Sequence, residues 1–274
     1  MITGGSRNQI TGLISETGTW TDGIDLGAYS AVQNLTVDLS SPFYGIAKDA
    51  SIYRSDFLTY QSNTNGLFSQ LKNWGDGTDA SSVLFRSLQV VNLSLGGTST
   101  TRIANQAVYA LQLNYANSSV VSDTVFVKAA GNESCVISST NCDPLNPVFY
   151  HSPKYKNISI IVGALDQAGG SIASYSNQAG AYSDRFVVAD GRGIYDSTAG
   201  TFIQGTSFAA PRVAGYAAIL RQKFPNLNAE KSSSILLDTA RYDTLRCNPN
   251  CPSSIYGMGE ASLSRALAPV GRLR

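Results

Sequence analysis

Gly205-Thr206-Ser207-Phe208-Ala209-Ala210-Pro211-Arg212-Val213-Ala214-Gly215 decides how this chain is read. A serine stands just ahead of an alanine-rich run that continues to Phe224 and stops at Pro225. Ala210, Val213, Ala214, Ala217 and Leu220 recur at helical spacing, so residues 209–224 form one helix with a single apolar face. The start of a helix gathers backbone N–H groups without partners and the positive end of the macrodipole. That environment suits negative charge developing on a carbonyl attacked by Ser207. Gly205 is expected to let the backbone turn tightly, and Ala209 and Ala210 to leave room for a bound molecule. The plain alternative is a Ser/Thr helix cap, which a bare Thr-Ser pair would favour.

Upstream, residues 88–95 read as a buried strand that ends at Gly96-Gly97. Residues 124–130 form a second strand closed by Gly131, residues 158–164 a third, and residues 186–189 a shorter fourth. Residues 46–52 read as a further, mainly apolar strand. Helical spacing appears over 66–72 and over 228–240. It also appears over 102–115, where Ile103, Val108, Ala110, Leu111 and Leu113 recur. Strands that alternate with helices argue for an α/β domain with a mostly parallel sheet. The strands are near-continuous apolar runs, as expected when helices cover both faces.

The 274 residues are 43% hydrophobic and 14% charged, with 20 basic and 19 acidic residues and a net charge of +1. That length suits one α/β domain with a large core, so residues 1–274 are read as a single domain. Residues 1–42 form its irregular, glycine-rich N-terminal part. No lysine/arginine block is present, which argues against nucleic acid or an anionic membrane as partner. No apolar stretch approaches the length of a membrane span. Low charge with much Ser, Asn, Gly and Thr leans toward a secreted protein. Residues 1–7 lack the apolar core of a signal peptide, so an export signal is not expected within this chain.

The four cysteines lie in two close pairs, Cys135 with Cys142 and Cys247 with Cys251. Local pairing is the simplest of the connectivities. A zinc site is the competing reading, but it would want closer spacing and histidine ligands, and His151 is the sole histidine. Disulfides would place the protein outside a reducing cytosol.

Two further stretches carry chemistry. Ala129-Ala130-Gly131-Asn132 closes a strand with a side-chain amide that can aim at a developing oxyanion. Its alternative is a left-handed asparagine in a Gly-Asn turn. Val91-Asn92-Leu93-Ser94-Leu95-Gly96-Gly97 offers strand-end N–H and C=O groups to an extended peptide. Its alternative is a core strand that ends in a turn.

Taken in this order, these stretches resemble the subtilase family of serine proteases. The eleven residues 205–215 are similar to its serine motif, Gly-Thr-Ser-x-Ala-Ala-Pro-x-Val-Ala-Gly. Residues 44–52, Ile161-Val162-Gly163-Ala164 and Ala173-Ser174-Tyr175-Ser176-Asn177 also look like family segments. Tyr256-Gly257-Met258-Gly259 with Leu267-Ala268-Pro269-Val270-Gly271 looks most like bacterial autotransporter subtilases, so the likeness covers residues 43–271. The resemblance implies a three-layer subtilisin-like fold, with a mostly parallel central sheet and helices on both faces. It implies Ser207 as nucleophile and Asn132 as oxyanion donor. Leu93, Ser94, Leu95, Gly96 and Gly97 would hold a peptide or protein substrate. It implies a monomer outside the cell, at the bacterial cell surface or in the periplasm, that needs no organic cofactor.

The chain departs from the family at two places. A serine hydroxyl needs a base, and the base an orienting carboxylate. No Asp-Ser-Gly or Asp-Thr-Gly tripeptide occurs. The stretch most similar to the histidine helix, residues 6–14, carries Ser6 where histidine belongs. His151 sits between the Asn132 and Ser207 motifs, where the family has no catalytic group, and reads as a surface-loop residue. A chain without base and carboxylate should be nearly inert. Either it is truncated upstream, or it is a degenerate, noncatalytic module that keeps a peptide cleft. No metal ligand set is expected. Calcium is left open at Asp76-Gly77-Thr78-Asp79, where a solvated turn is the stronger reading, and at Asp22 and Asp25.

Overall fold

A computed structural model describes residues 46–47, 50, 64–76, 88–96, 102–119, 121, 123–166, 168–196 and 200–268. The matches drawn at residues 1–45, most of the strand expected at 46–52, Gly97 and residues 77–79 lie outside them. In chain order the elements are α1 (Thr64–Asp76), β1 (Val90–Leu93), α2 (Arg102–Ser118), β2 (Val125–Ala129) and α3 (Leu145–His151). They continue with β3 (Ser159–Leu165), β4 (Phe186–Asp190), β5 (Arg192–Asp196), β6 (Thr201–Gln204) and α4 (Thr206–Lys223). Helices α5 (Ala229–Asp238), α6 (Ser253–Tyr256) and α7 (Leu263–Leu267) follow.

Strands β1 to β4 pair in sequence order, and every pairing is parallel. The fold is therefore α/β, as expected. Side chains alternate between two covered faces, which explains the continuous apolar runs. Val90, Val125, Val127, Ile160, Val162 and Val187 point to the face that packs α4 and α5. Val91, Leu93 and Phe126 point to the other, with α1 and α3. There Phe68, Phe126, Phe149 and Tyr155 meet at ring-centroid distances of 5.3–6.2 Å. Gly163 has a packing role: a Cβ there would stand 2.6 Å from the Phe186 ring, which lies across β3.

Helix α4 crosses the sheet on its small face. Ala209, Ala210, Val213, Ala214, Ala217 and Leu220 are wholly buried. The expected face is therefore observed, but Ala209 and Ala210 do not leave room for a ligand. They face the core, where a lone methyl lets the helix come close to the strands. Helix α2 forms where its periodicity was seen, yet with a different inner face. Ile103 and Leu111 are 80% and 60% exposed, while Asn105, Gln112 and Ala116 are buried. Asn105 turns inward because its amide donates to Thr140 O and Cys142 O, both at 3.1 Å.

The outer edge of β4 is closed by residues 256–261. Met258 N–H donates to Phe186 O, Val188 N–H to Gly259 O and Ala261 N–H to Val188 O. The glycines of this turn are required. Gly257 and Gly259 have φ of 61° and 105°, and a Cβ on either would collide with the backbone of Phe186 or Arg241. Just before β2, Asp123 bonds Arg221 of α4 and accepts from Ala229 N–H at the start of α5, whose cap residue is Asn228. Partial burial works to raise that carboxyl, but these bonds overcome it and hold its pKa below the ordinary value.

Candidate active site

Strand β2 ends at Ala129, and α4 begins after Gly205, so the parallel sheet brings Asn132 and Ser207 to one place across 75 residues of chain. Gly131 makes the turn, with φ of 104° and no space for a Cβ between Glu133 and Asn177. Among the described residues, Ser134 alone combines a side chain with a left-handed backbone. The Gly-Asn turn therefore does not need a left-handed Asn132.

Asn132 is oriented by Thr206. Its Oδ1 accepts from Thr206 N–H at 2.9 Å and from Thr206 Oγ1 at 3.0 Å. The Thr206 hydroxyl in turn accepts from Gly131 N–H at 3.2 Å. A backbone N–H can only donate, so the bonded atom must be the amide oxygen. Nδ2 is thereby the donor end of the amide. Thr206 is wholly buried and Asn132 is exposed, so the support is interior and the asparagine stands at the surface.

Ser207 is the second residue of α4 and is half-buried. It does not cap the helix; Gly205 holds the cap position, and no side chain caps there. Of the first N–H groups, Thr206's goes to Asn132 and Phe208's to Gly205 O. Gly205 is not needed for a turn, because its φ of 167° is extended backbone. Its missing side chain matters instead. The point where a Gly205 Cβ would sit is 3.6 Å from Asn132 Nδ2 and 3.7 Å from Ser207 N. Asn132 Oδ1 stands at 3.8 Å from the same point, so the Asn132 amide and the Ser207 N–H meet beside Gly205. The positive end of the α4 macrodipole lies at the same place.

The loop beyond Asn132 is clamped by Asn177, which is wholly buried. Asn177 Oδ1 accepts from Glu133 N–H and Cys135 N–H, both at 3.1 Å. Its Nδ2 donates to Ala130 O at 2.8 Å and to Glu133 Oε2 at 2.5 Å. Sequence inspection matched Asn177 to a family segment without assigning it this task; its signal was only its place in that motif. The loop is closed by a Cys135–Cys142 disulfide, and Cys247–Cys251 forms a second. The local pairing expected from spacing is thus observed, and the zinc alternative fails because all four sulfurs are used. Replacing Cys135 and Cys142 with serine should lower the unfolding free energy by about 2–3 kcal/mol, since the bridge closes a short loop. Urea unfolding of the double variant measures this.

Along β1, Leu93 is 2% exposed and packs in the core, so its side chain does not reach a ligand. Ser94 is buried too, Leu95 is partly exposed and Gly96 is exposed. A peptide laid along this edge would meet backbone groups of residues 94–96 rather than the Leu93 side chain. His151 closes α3 instead of lying in a loop. Its Nε2 lies 2.9 Å from the Tyr182 hydroxyl, and its ring neighbours are Tyr109, Tyr150 and Tyr182. Partial burial and the nearby Lys156 lower its pKa below the ordinary histidine value, favouring the neutral ring. Among the described residues no imidazole or carboxylate bonds the Ser207 hydroxyl; His151, the sole histidine, is engaged with Tyr182.

Comparison with known proteins gives the family. The model of the subtilase family matches residues 15–259. The chain belongs to the subtilase family. It is 31% identical to Subtilisin DY of Bacillus licheniformis over 223 residues, covering 80% of this chain and 72% of that protein. It is 30% identical to Subtilisin amylosacchariticus of Bacillus subtilis subsp. amylosacchariticus over 231 residues, 83% of this chain and 54% of that protein. Among solved structures, a protease from Pseudoalteromonas arctica aligns with a TM-score of 0.52 and 27% identity, over 82% of this chain and 64% of that one. The PatG macrocyclase in complex with peptide shares the fold, with a TM-score of 0.53 over 84% of this chain and 63% of that one. This subtilase chain thus spans between about half and three quarters of the lengths it matches. Among the described residues, no helix is long and apolar enough to cross a membrane.

Proposed function

We propose that this subtilase chain carries the acylation half of a serine endopeptidase site. The observation that carries the reading is the meeting of the Asn132 amide, held by Thr206, with the Ser207 N–H at the start of α4 beside Gly205. Ser207 Oγ bonds the scissile carbonyl carbon and passes its proton to a base. The C–N bond then breaks, the amine leaves with a proton, and water hydrolyses the acyl-enzyme. Asn132 and the Ser207 N–H hold the oxyanion. Backbone groups around Ser94, Leu95, Gly96 and Gly97 hold an extended peptide beside it, with Leu93 anchoring that strand in the core.

The base is the weak point. We read residues 6–14 as the histidine helix with Ser6 in the histidine's place, and no Asp-Ser-Gly or Asp-Thr-Gly tripeptide occurs in the 274 residues. Loss of the base alone costs about a million-fold in turnover, a magnitude that itself comes from a subtilisin. This favours a second reading, a noncatalytic module that keeps the peptide cleft, or a chain whose base and carboxylate are supplied by sequence upstream. The two disulfides support a location outside the reducing cytosol, at the cell surface, in the periplasm or beyond. The autotransporter reading rests on residues 256–259 and 267–271. We place the chain there as a monomer acting on peptide or protein, with no cofactor in the scheme.

A fluorophosphonate probe tests the proposal. Labelling of the native protein that disappears in Ser207→Ala supports a reactive serine. No labelling and no peptide cleavage by the native protein leaves only the noncatalytic reading.

A further inference from the structure

We propose that Ser94 is a positioning residue for Ser207, and that it supplies the hydrogen bond which Pro211 removes from the first turns of α4. The inference rests on the reading of Ser207 as the nucleophile. In an α-helix, the carbonyl of residue 207 accepts from the N–H of residue 211. Pro211 lies inside α4 and has no N–H to give. The Ser207 carbonyl is nevertheless bonded: Ser94 Oγ donates to it at 2.9 Å.

The donor's direction is fixed from behind. Asn92 Nδ2 donates to Ser94 Oγ at 3.0 Å. A serine hydroxyl has one proton, and an oxygen already accepting from Asn92 spends that proton on Ser207. Asn92 and Ser94 are 5% and 7% exposed, so water does not compete freely for this relay. Residues 94 and 207 are 113 apart in sequence. The bond therefore ties the strand end that would receive the substrate backbone to the backbone of the attacking residue. Pro211 makes that tie necessary, because without the proline the helix would satisfy its own carbonyl. The sequence places the hydroxyl and the proline in separate motifs; the fold makes them one device.

The test is a cycle of Ser94→Ala, Pro211→Ala and the double variant, read by the rate of fluorophosphonate labelling. Ser94→Ala should slow labelling about fivefold to tenfold, the worth of one hydrogen bond. In the Pro211→Ala background, where residue 211 regains an N–H, the same change should cost less than about twofold. Ser94→Thr, which keeps the hydroxyl, should restore most of the rate. Equal losses in both backgrounds, or Ser94→Thr as slow as Ser94→Ala, would overturn the proposal. Should Ser94→Ala alone not fold, recovery of folding on adding Pro211→Ala supports the compensation, and no recovery overturns it. If the wild-type chain takes no probe, the nucleophile reading fails by itself. The same cycle read by urea unfolding then decides whether Ser94 and Pro211 are coupled.

Discussion

An Asp143→Ala variant should lose about 3–5 kcal/mol of unfolding free energy. Asp143 pairs with Lys128 at 2.9 Å, and both side chains are wholly buried. Lys128 Nζ also donates to Ala129 O at 2.6 Å, and Asp143 Oδ1 accepts from Leu145 N–H at 3.0 Å. Removing the carboxylate leaves an ammonium in the interior with a single carbonyl for company. The pair itself gives little net stability, because desolvating two ions offsets most of their attraction. Replacing both partners, Lys128→Met with Asp143→Leu, should therefore recover most of the loss. Urea unfolding of the single and double variants separates these cases. A loss below about 1 kcal/mol for Asp143→Ala would mean that the ammonium finds water, and that the pair is not sealed as described. The site would also feel the change, since Asp143 Oδ2 lies 3.4 Å from the point where a Gly96 Cβ would sit.

An Asn132→Asp variant should keep its fold and lose about a hundredfold to a thousandfold in acylation rate, a magnitude that itself comes from a subtilisin. The new carboxylate still accepts from the Thr206 N–H and hydroxyl, so the loop stays in place. What disappears is the Nδ2 donor beside Gly205, and a negative charge stands where an oxyanion would form. Labelling rate and thermal midpoint, measured together, check the two halves of the statement. A variant that labels at the wild-type rate would remove Asn132 from the oxyanion site.

Much of this architecture was legible in the sequence because it is written in local periodicity. Parallel strands buried on both faces show as apolar runs, and the small-residue face of α4 shows as a helical repeat. The serine motif placed Ser207, and the pair spacing placed both disulfides. The unread parts depend on distant partners. Lys128 looks like any polar residue in a strand until Asp143 is folded against it. Ile103 and Leu111 looked like a core face, but α2 turns by its Asn105 bonds to the disulfide loop. The short hairpin of β5 and β6 and the helix α3 carry too few residues for a periodic signal. Gly205 was read for a tight turn, whereas its backbone is extended and it lies beside the Asn132 amide.

The turn that closes the outer edge of β4 has a consequence for biogenesis. Residues 256–261 come after every described strand of the sheet, yet they occupy the row of hydrogen-bonding groups beside Phe186 and Val188. A chain growing from the ribosome, or threading across a membrane from its N-terminus, carries that row bare until this segment emerges. A bare parallel edge is an invitation to self-association.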